Sequence, residues 1–152
     1  MTNSEILNGL FVKYNLVYDS SNPDSKDNDV YKHKHYKIIT RTGIQKIEKA
    51  TEIFCEIDLI SSGKDFANVQ GRGFLKGTDR NSHPDYITLA SANELSVKGG
   101  SGYFCEMAEK RCRSRLILTL AGLYELGVFG EDEAESFSDI VKDQQTAKYK
   151  GQ

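Results

Sequence analysis

From Ile53 to Tyr124 the apolar residues change their period once, from two to about 3.6, and this switch narrows the folds open to the chain more than any other feature. Ile53, Cys55, Ile57 and Leu59 alternate with other residues, so Ile53 to Ser61 reads as a strand with one apolar face. Ala67 to Lys76 and Tyr86 to Ala92 follow as further β-rich segments, separated by turns that contain Gly and Asn. Links this short favour antiparallel pairing, so the three segments predict a meander. The loop KGGSG, Lys98 to Gly102, then leads into Tyr103 to Tyr124, where Cys105, Ala108, Cys112, Leu116, Leu120 and Leu123 form one stripe at helical spacing. A helix with one apolar stripe next to a sheet with one apolar face predicts that the helix covers the sheet.

Shorter elements flank this core. Ile6, Leu7, Leu10, Phe11 and Tyr14 share one face of a helix over Ser4 to Tyr14, and SSNPDSKDND, residues 20 to 29, reads as a mobile loop. Tyr36 to Thr40 reads as a strand, and Thr42 with Gly43 opens a short helix whose Ile44, Ile47 and Ala50 face one way. An acid-led helix over Glu131 to Gln145 is expected, because carboxylates complement the positive end of a helix. The expected fold is α+β: an antiparallel three- to four-stranded meander covered by one long helix, with short N- and C-terminal helices. Residues 1–30 would hold the first helix and loop, 31–130 the core, and 131–152 an acidic helix and tail.

A chain of 152 residues has the size of one domain and needs no staples. Its three cysteines, Cys55, Cys105 and Cys112, are odd in number and form no CxxC pair, against both a disulfide framework and a zinc ribbon. The start MTNSEILNGL lacks a basic segment followed by a long apolar core, and no stretch approaches the ~18 apolar residues of a membrane span. The cytoplasm is the expected location.

A net charge of -2 counts against a nucleic-acid binder until its distribution is considered. Between Tyr31 and Lys49, Lys32, Lys34, Lys37, Arg41, Lys46 and Lys49 face the single acid Glu48. Beyond residue 130, Glu131, Asp132, Glu133, Glu135, Asp139 and Asp143 cancel that charge in the sum. Cations on a strand and a short helix suit phosphates, and Tyr31 and Tyr36 among them offer stacking platforms for bases. The competing reading is a charged edge strand that resists aggregation.

A second basic cluster lies in AEKRCRSR, residues 108 to 115. Glu106 with Lys110 and Glu109 with Arg113 are acid-first pairs four apart, which absorbs two of its cations. Arg111 and Arg115 have no acid four residues earlier, so they are the candidates for an external anion. In VQGRGFLKG, Arg72, Phe74 and Lys76 alternate and would share one sheet face, as in sheet-based single-strand binders, although a core Phe is as good a reading.

Motifs for chemistry are missing. Neither GRG nor KGGSG has the spacing of a phosphate-cradling loop. His33 and His35 are flanked by lysines that would oppose a metal ion, and His83 before Pro84 reads as a turn residue. GEDEAESF lacks the order of a calcium loop. No catalytic residue, metal or cofactor is assigned, and the chain reads as a non-enzyme.

The order of three strands and a long helix, with MAEKRCRSRLILTLAGL on the helix and GVFGEDEAESF after it, resembles phage single-strand annealing proteins of the Erf and Sak type. Their helices often read AE-(K/T)-R-A-x-S-R-A; Ala108, Glu109, Lys110, Arg111, Ser114 and Arg115 match, with Cys112 where Ala is common. The resemblance covers roughly residues 36 to 137. It implies a β-β-β-α core, assembly into homo-oligomeric rings or filaments, and single-stranded DNA held without ATP in a groove between sheet and helix. Arg111 and Arg115 would lie on that groove, with Lys37, Arg41 and Lys46 added as upstream cations. The expected function is single-stranded DNA binding and strand annealing in phage-type recombination. The alternatives are a non-enzymatic phage accessory or inhibitor protein that binds a host protein and, from a third class, a small-ligand or metal-dependent enzyme.

Overall fold

The computed structural model describes residues 2–33, 36–93 and 103–134. In chain order these form α1 (Asn3–Lys13), β1 (Val30–His33), β2 (Tyr36–Ile39), α2 (Arg41–Thr51), β3 (Phe54–Ser62), β4 (Phe66–Phe74), β5 (Tyr86–Asn93), α3 (Phe104–Leu120), a 3-10 turn (Tyr124–Leu126) and β6 (Val128–Gly130). The class is α+β, as expected. The strands are divided between two three-stranded sheets rather than gathered in one. β3, β4 and β5 pair antiparallel in sequence order, with Ile57 opposite Gly71 and Val69 opposite Ala90. β1 pairs antiparallel with β2, which pairs parallel with β6. β2 is therefore the centre of a second sheet and not a fourth strand of the meander. Its consecutive buried residues Ile38 and Ile39 explain why: such a strand is covered on both faces and belongs inside a sheet. β6 is three residues long, too short to show a period.

α3 joins the two halves. Ala108, Cys112 and Leu116 pack with Ala67, Val69, Ala90 and Ala92 of the meander. The helix comes this close because β4 presents glycines: a Cβ on Gly71 would lie 2.8 Å from Leu116 Cδ1, and one on Gly73 2.7 Å from Leu120 Cδ1. The GRG motif is thus the seat of a helix. Ile117 and Leu118, on other sides of α3, enter a second core with Leu7 and Phe11 of α1, Val30, Ile39, Ile44, Ile47 and Val128. Full burial of two such side chains stabilises by about 1.5–3 kcal/mol each, so the second core anchors α1 and α2 firmly.

Several expectations shift. α3 ends at Leu120 and not Tyr124, because Gly122 takes a left-handed backbone (φ 82°) that terminates the helix. Cys105 is exposed, and Phe104 fills the core at that end. Leu59 is exposed where a bulge between Leu59 and Ser61 disturbs the alternation of β3. Ala50 is also exposed. The end of the 20–29 loop is tied down: Asp29 Oδ2 accepts from the Val17 amide at 2.9 Å and from Lys46 Nζ at 2.6 Å. Residues 131–134 form a helical turn; the rest of the expected C-terminal helix and the KGGSG loop lie outside the described residues.

Candidate nucleic-acid interface

Arg111 and Arg115, expected to face an open groove, instead close the edge of the meander. Arg111 is only 2% exposed; its Nη1 donates to the Ser91 carbonyl at 3.1 Å and its Nε to the Asp132 carbonyl at 3.0 Å. Arg115 Nη1 donates to the Leu89 carbonyl at 2.6 Å, and its Nε to Glu133 Oε1 at 2.6 Å. Residues four apart on a helix are about 6 Å apart along its axis, and strand residues two apart are about 6.8 Å apart. Two arginines one turn apart on α3 therefore match successive outward carbonyls of β5. They satisfy an edge that would otherwise invite another strand, and they bind the turn 131–134 to the sheet.

Phe74 is likewise no stacking platform. It is 2% exposed, with its ring 6.1 Å from that of Phe54, while the guanidinium of Arg80 lies 3.5 Å from the Phe54 ring centroid. Arg72 and Lys76 do not form a free cationic face with it. Arg72 pairs with Glu56 at 2.9 Å and Asp58 at 3.2 Å, and Lys76 with Glu52 at 2.6 Å. Glu56 and Asp58 of β3 neutralise Arg72 of β4 across the strand pair, and Glu52 at the end of α2 holds Lys76 just beyond β4; the cross-strand pairing is invisible until the register is known.

The basic segment 31–49 splits in three. Lys46 points to the α1 side, where it holds Asp29 at 2.6 Å and the Asn15 carbonyl at 3.3 Å. Lys37 rests over the rings of Phe11 and Tyr18, 5.3 Å from each centroid. Lys32 is exposed, as is Tyr36, whose ring meets Phe129 edge-on at 5.1 Å. Lys34 lies outside the described residues. Tyr31 is half-buried; burial first, then the nearby Glu131 and Asp132, hold its hydroxyl above the usual value.

Among the described residues, Arg41 alone of the expected site residues joins a concave cationic surface. A cleft of about 440 Å³ between α2 and α3 is lined by Arg41, Ile44, Gln45, Glu48 and Lys49 from one helix and Lys110, Arg113 and Ser114 from the other, with Asp132 at its margin. Arg113 shares Glu48 at 3.5 Å and Glu109 at 3.4 Å, the latter the pair expected from spacing. The expected pair of Glu106 with Lys110 is not formed, and Lys49 and Lys110 have no ion pair among the described residues. Thr40 caps α2 by accepting from the Gly43 amide at 3.2 Å, which fixes where the helix begins and so which residues face the cleft.

Lys49, Lys110 and Arg113 were named in the two basic clusters but were not among the site residues expected from sequence, although a signal was present. Positions 41, 45, 48 and 49 lie on one helical face, as do 110, 113 and 114 on the other helix. What the spacing lacks is the packing of α2 against α3 that makes the two faces meet. Burial pushes the Cys55 and Cys112 thiols up to about 11, so neither is a thiolate near neutrality. Among the described residues no group of three His, Cys, Asp or Glu side chains is placed to hold a metal, and no helix is long and apolar enough to cross a membrane.

No protein-family model, curated protein or solved structure matches the chain.

Proposed function

We propose that the protein binds single-stranded DNA through the α2–α3 cleft and promotes strand annealing, with no chemical step. The observation that carries this reading is the cleft itself: four cations face two carboxylates, and two of the cations have no ionic partner among the described residues. Its wall is apolar only at Ile44 and has no aromatic side chain, so it suits a sugar-phosphate backbone better than a base. A strand held by its backbone keeps its bases turned outward and free to pair, which is what annealing needs. The succession β3-β4-β5-α3, with the helix on the meander, agrees with the β-β-β-α core implied by the resemblance to Erf- and Sak-type proteins. From that resemblance the proposal also takes a ring or filament of identical chains in a bacterial host's cytoplasm, where a phage-encoded protein would act. Leu59 and Ile60, 55% and 57% exposed on the outer strand of the meander, suit contact between copies.

The test is fluorescence anisotropy with labelled oligo-dT and the corresponding duplex at low and high salt. Micromolar or tighter single-strand binding that weakens steeply with salt is expected; absence of binding at low salt would refute the reading. The second reading, docking to a host protein, is favoured by Ile87 and Leu89, which are exposed on the sheet face away from α3. It predicts a stable complex with a polypeptide and no preference for single strands.

A further inference from the structure

Two carboxylates of the 131–134 turn occupy places in the α2–α3 region that a phosphate would take. Glu131 Oε1 accepts from the backbone amide of Arg41 at 2.8 Å, at the positive end of α2. Asp132 lies at the cleft margin with its Oδ1 3.8 Å from Arg41 Nη2, and its side chain is only 12% exposed. The turn does not rest there by charge alone. Arg111 holds the Asp132 carbonyl and Arg115 the Glu133 carboxylate, so the arginine clamp on β5 also presents Glu131 and Asp132 to α2. Of the four cleft cations, Arg41 is engaged by Asp132 of the turn and Arg113 by Glu48 and Glu109 of the two helices, and Lys49 and Lys110 make no ion pair among the described residues.

We infer that Glu131 and Asp132 form an autoinhibitory contact: an internal phosphate mimic that competes with the DNA backbone for Arg41 and the amino end of α2. The inference rests on the nucleic-acid reading above and adds regulation to the same cleft. A strand first engages Lys49 and Lys110, then displaces Asp132 from Arg41, whose 3.8 Å contact is long for a direct ion pair and is the weakest link in the turn's attachment. Affinity is thus held below what the four cations would give together, which favours release of the strand after pairing. Arg111 and Arg115 act as positioning residues for the competitor.

The experiment compares the full chain with Asp132→Asn and with the Glu131→Gln/Asp132→Asn double variant, both nearly isosteric, in anisotropy titrations of labelled oligo-dT, with thermal melts in parallel. The expected result is three- to tenfold tighter binding by the double variant, a smaller gain for Asp132→Asn, and a steeper salt dependence as Arg41 becomes available. Unchanged or weaker binding by folded variants, with the parent still binding, would overturn the autoinhibitory contact and leave the nucleic-acid reading standing. Should the double variant melt much lower than the parent, the single variant decides by the same criterion. Failure of the parent to bind at low salt would overturn both.

Discussion

At the scale of single residues, Glu133 and Arg115 define the least forgiving site in the fold. Glu133 is 1% exposed, and burial, outweighing the attraction of Arg115, holds its carboxyl above the ordinary value of 4.5. The folded chain therefore binds the proton more tightly than the unfolded chain, and stability from this group is fully present below pH 4.5 and lost as pH rises through the raised value. Glu133→Gln removes that dependence. The melting temperature of the variant minus that of the parent should become more positive from about pH 4 to about pH 7, and a flat difference would show that Glu133 is not shifted. Arg115→Ala takes the Nε donor away from a buried carboxylate and should lower the unfolding free energy by about 3 kcal/mol in urea titrations. The sequence marked Arg111 and Arg115 correctly as lacking an acid four residues earlier. It could not show that their partners are carbonyls of β5 and the acidic turn, about 20 residues away on either side, because such contacts have no local spacing.

Among the elements, the meander and α3 were legible because each carries a period, two or about 3.6, over enough residues to be read. The second sheet was not. β2 has consecutive buried isoleucines in place of alternation, and β6 is only three residues long, so its parallel pairing with β2 is set by the core they share. The contact of α3 with β4 gives a direct check. Gly71→Ala places a methyl group against Leu116 and Cys112, and overpacking of this kind costs about 1–3 kcal/mol. Denaturant unfolding of that variant should show the loss, whereas Gly9→Ala on α1, where an added Cβ meets nothing within 4 Å, should show none. Equal effects of the two substitutions would mean that α3 does not seat on the glycines of β4.

For the whole molecule, the sequence separated a basic middle from an acidic end, and folding brings parts of the two together. Arg41 from the middle meets Lys110 and Arg113 from α3 across one cleft, with Asp132 from the acidic end beside them. Two of the other basic residues of the segment are spent on internal partners, which composition cannot foresee: Lys46 on Asp29, Lys37 on two aromatic rings. The central claim is that the remaining cations of the cleft hold the strand. Lys49 and Lys110 make no ion pair among the described residues, so Lys49→Ala with Lys110→Ala should leave the melting temperature close to that of the parent. The most direct measurement is the salt dependence of oligo-dT binding by this double variant and by the parent. If each lysine neutralises one phosphate, affinity at low salt falls and the slope of log K against log salt becomes shallower by about 1.4, at roughly 0.7 per lost contact on a single strand. A folded double variant with the parent's affinity and the parent's slope would contradict the assignment of the cleft.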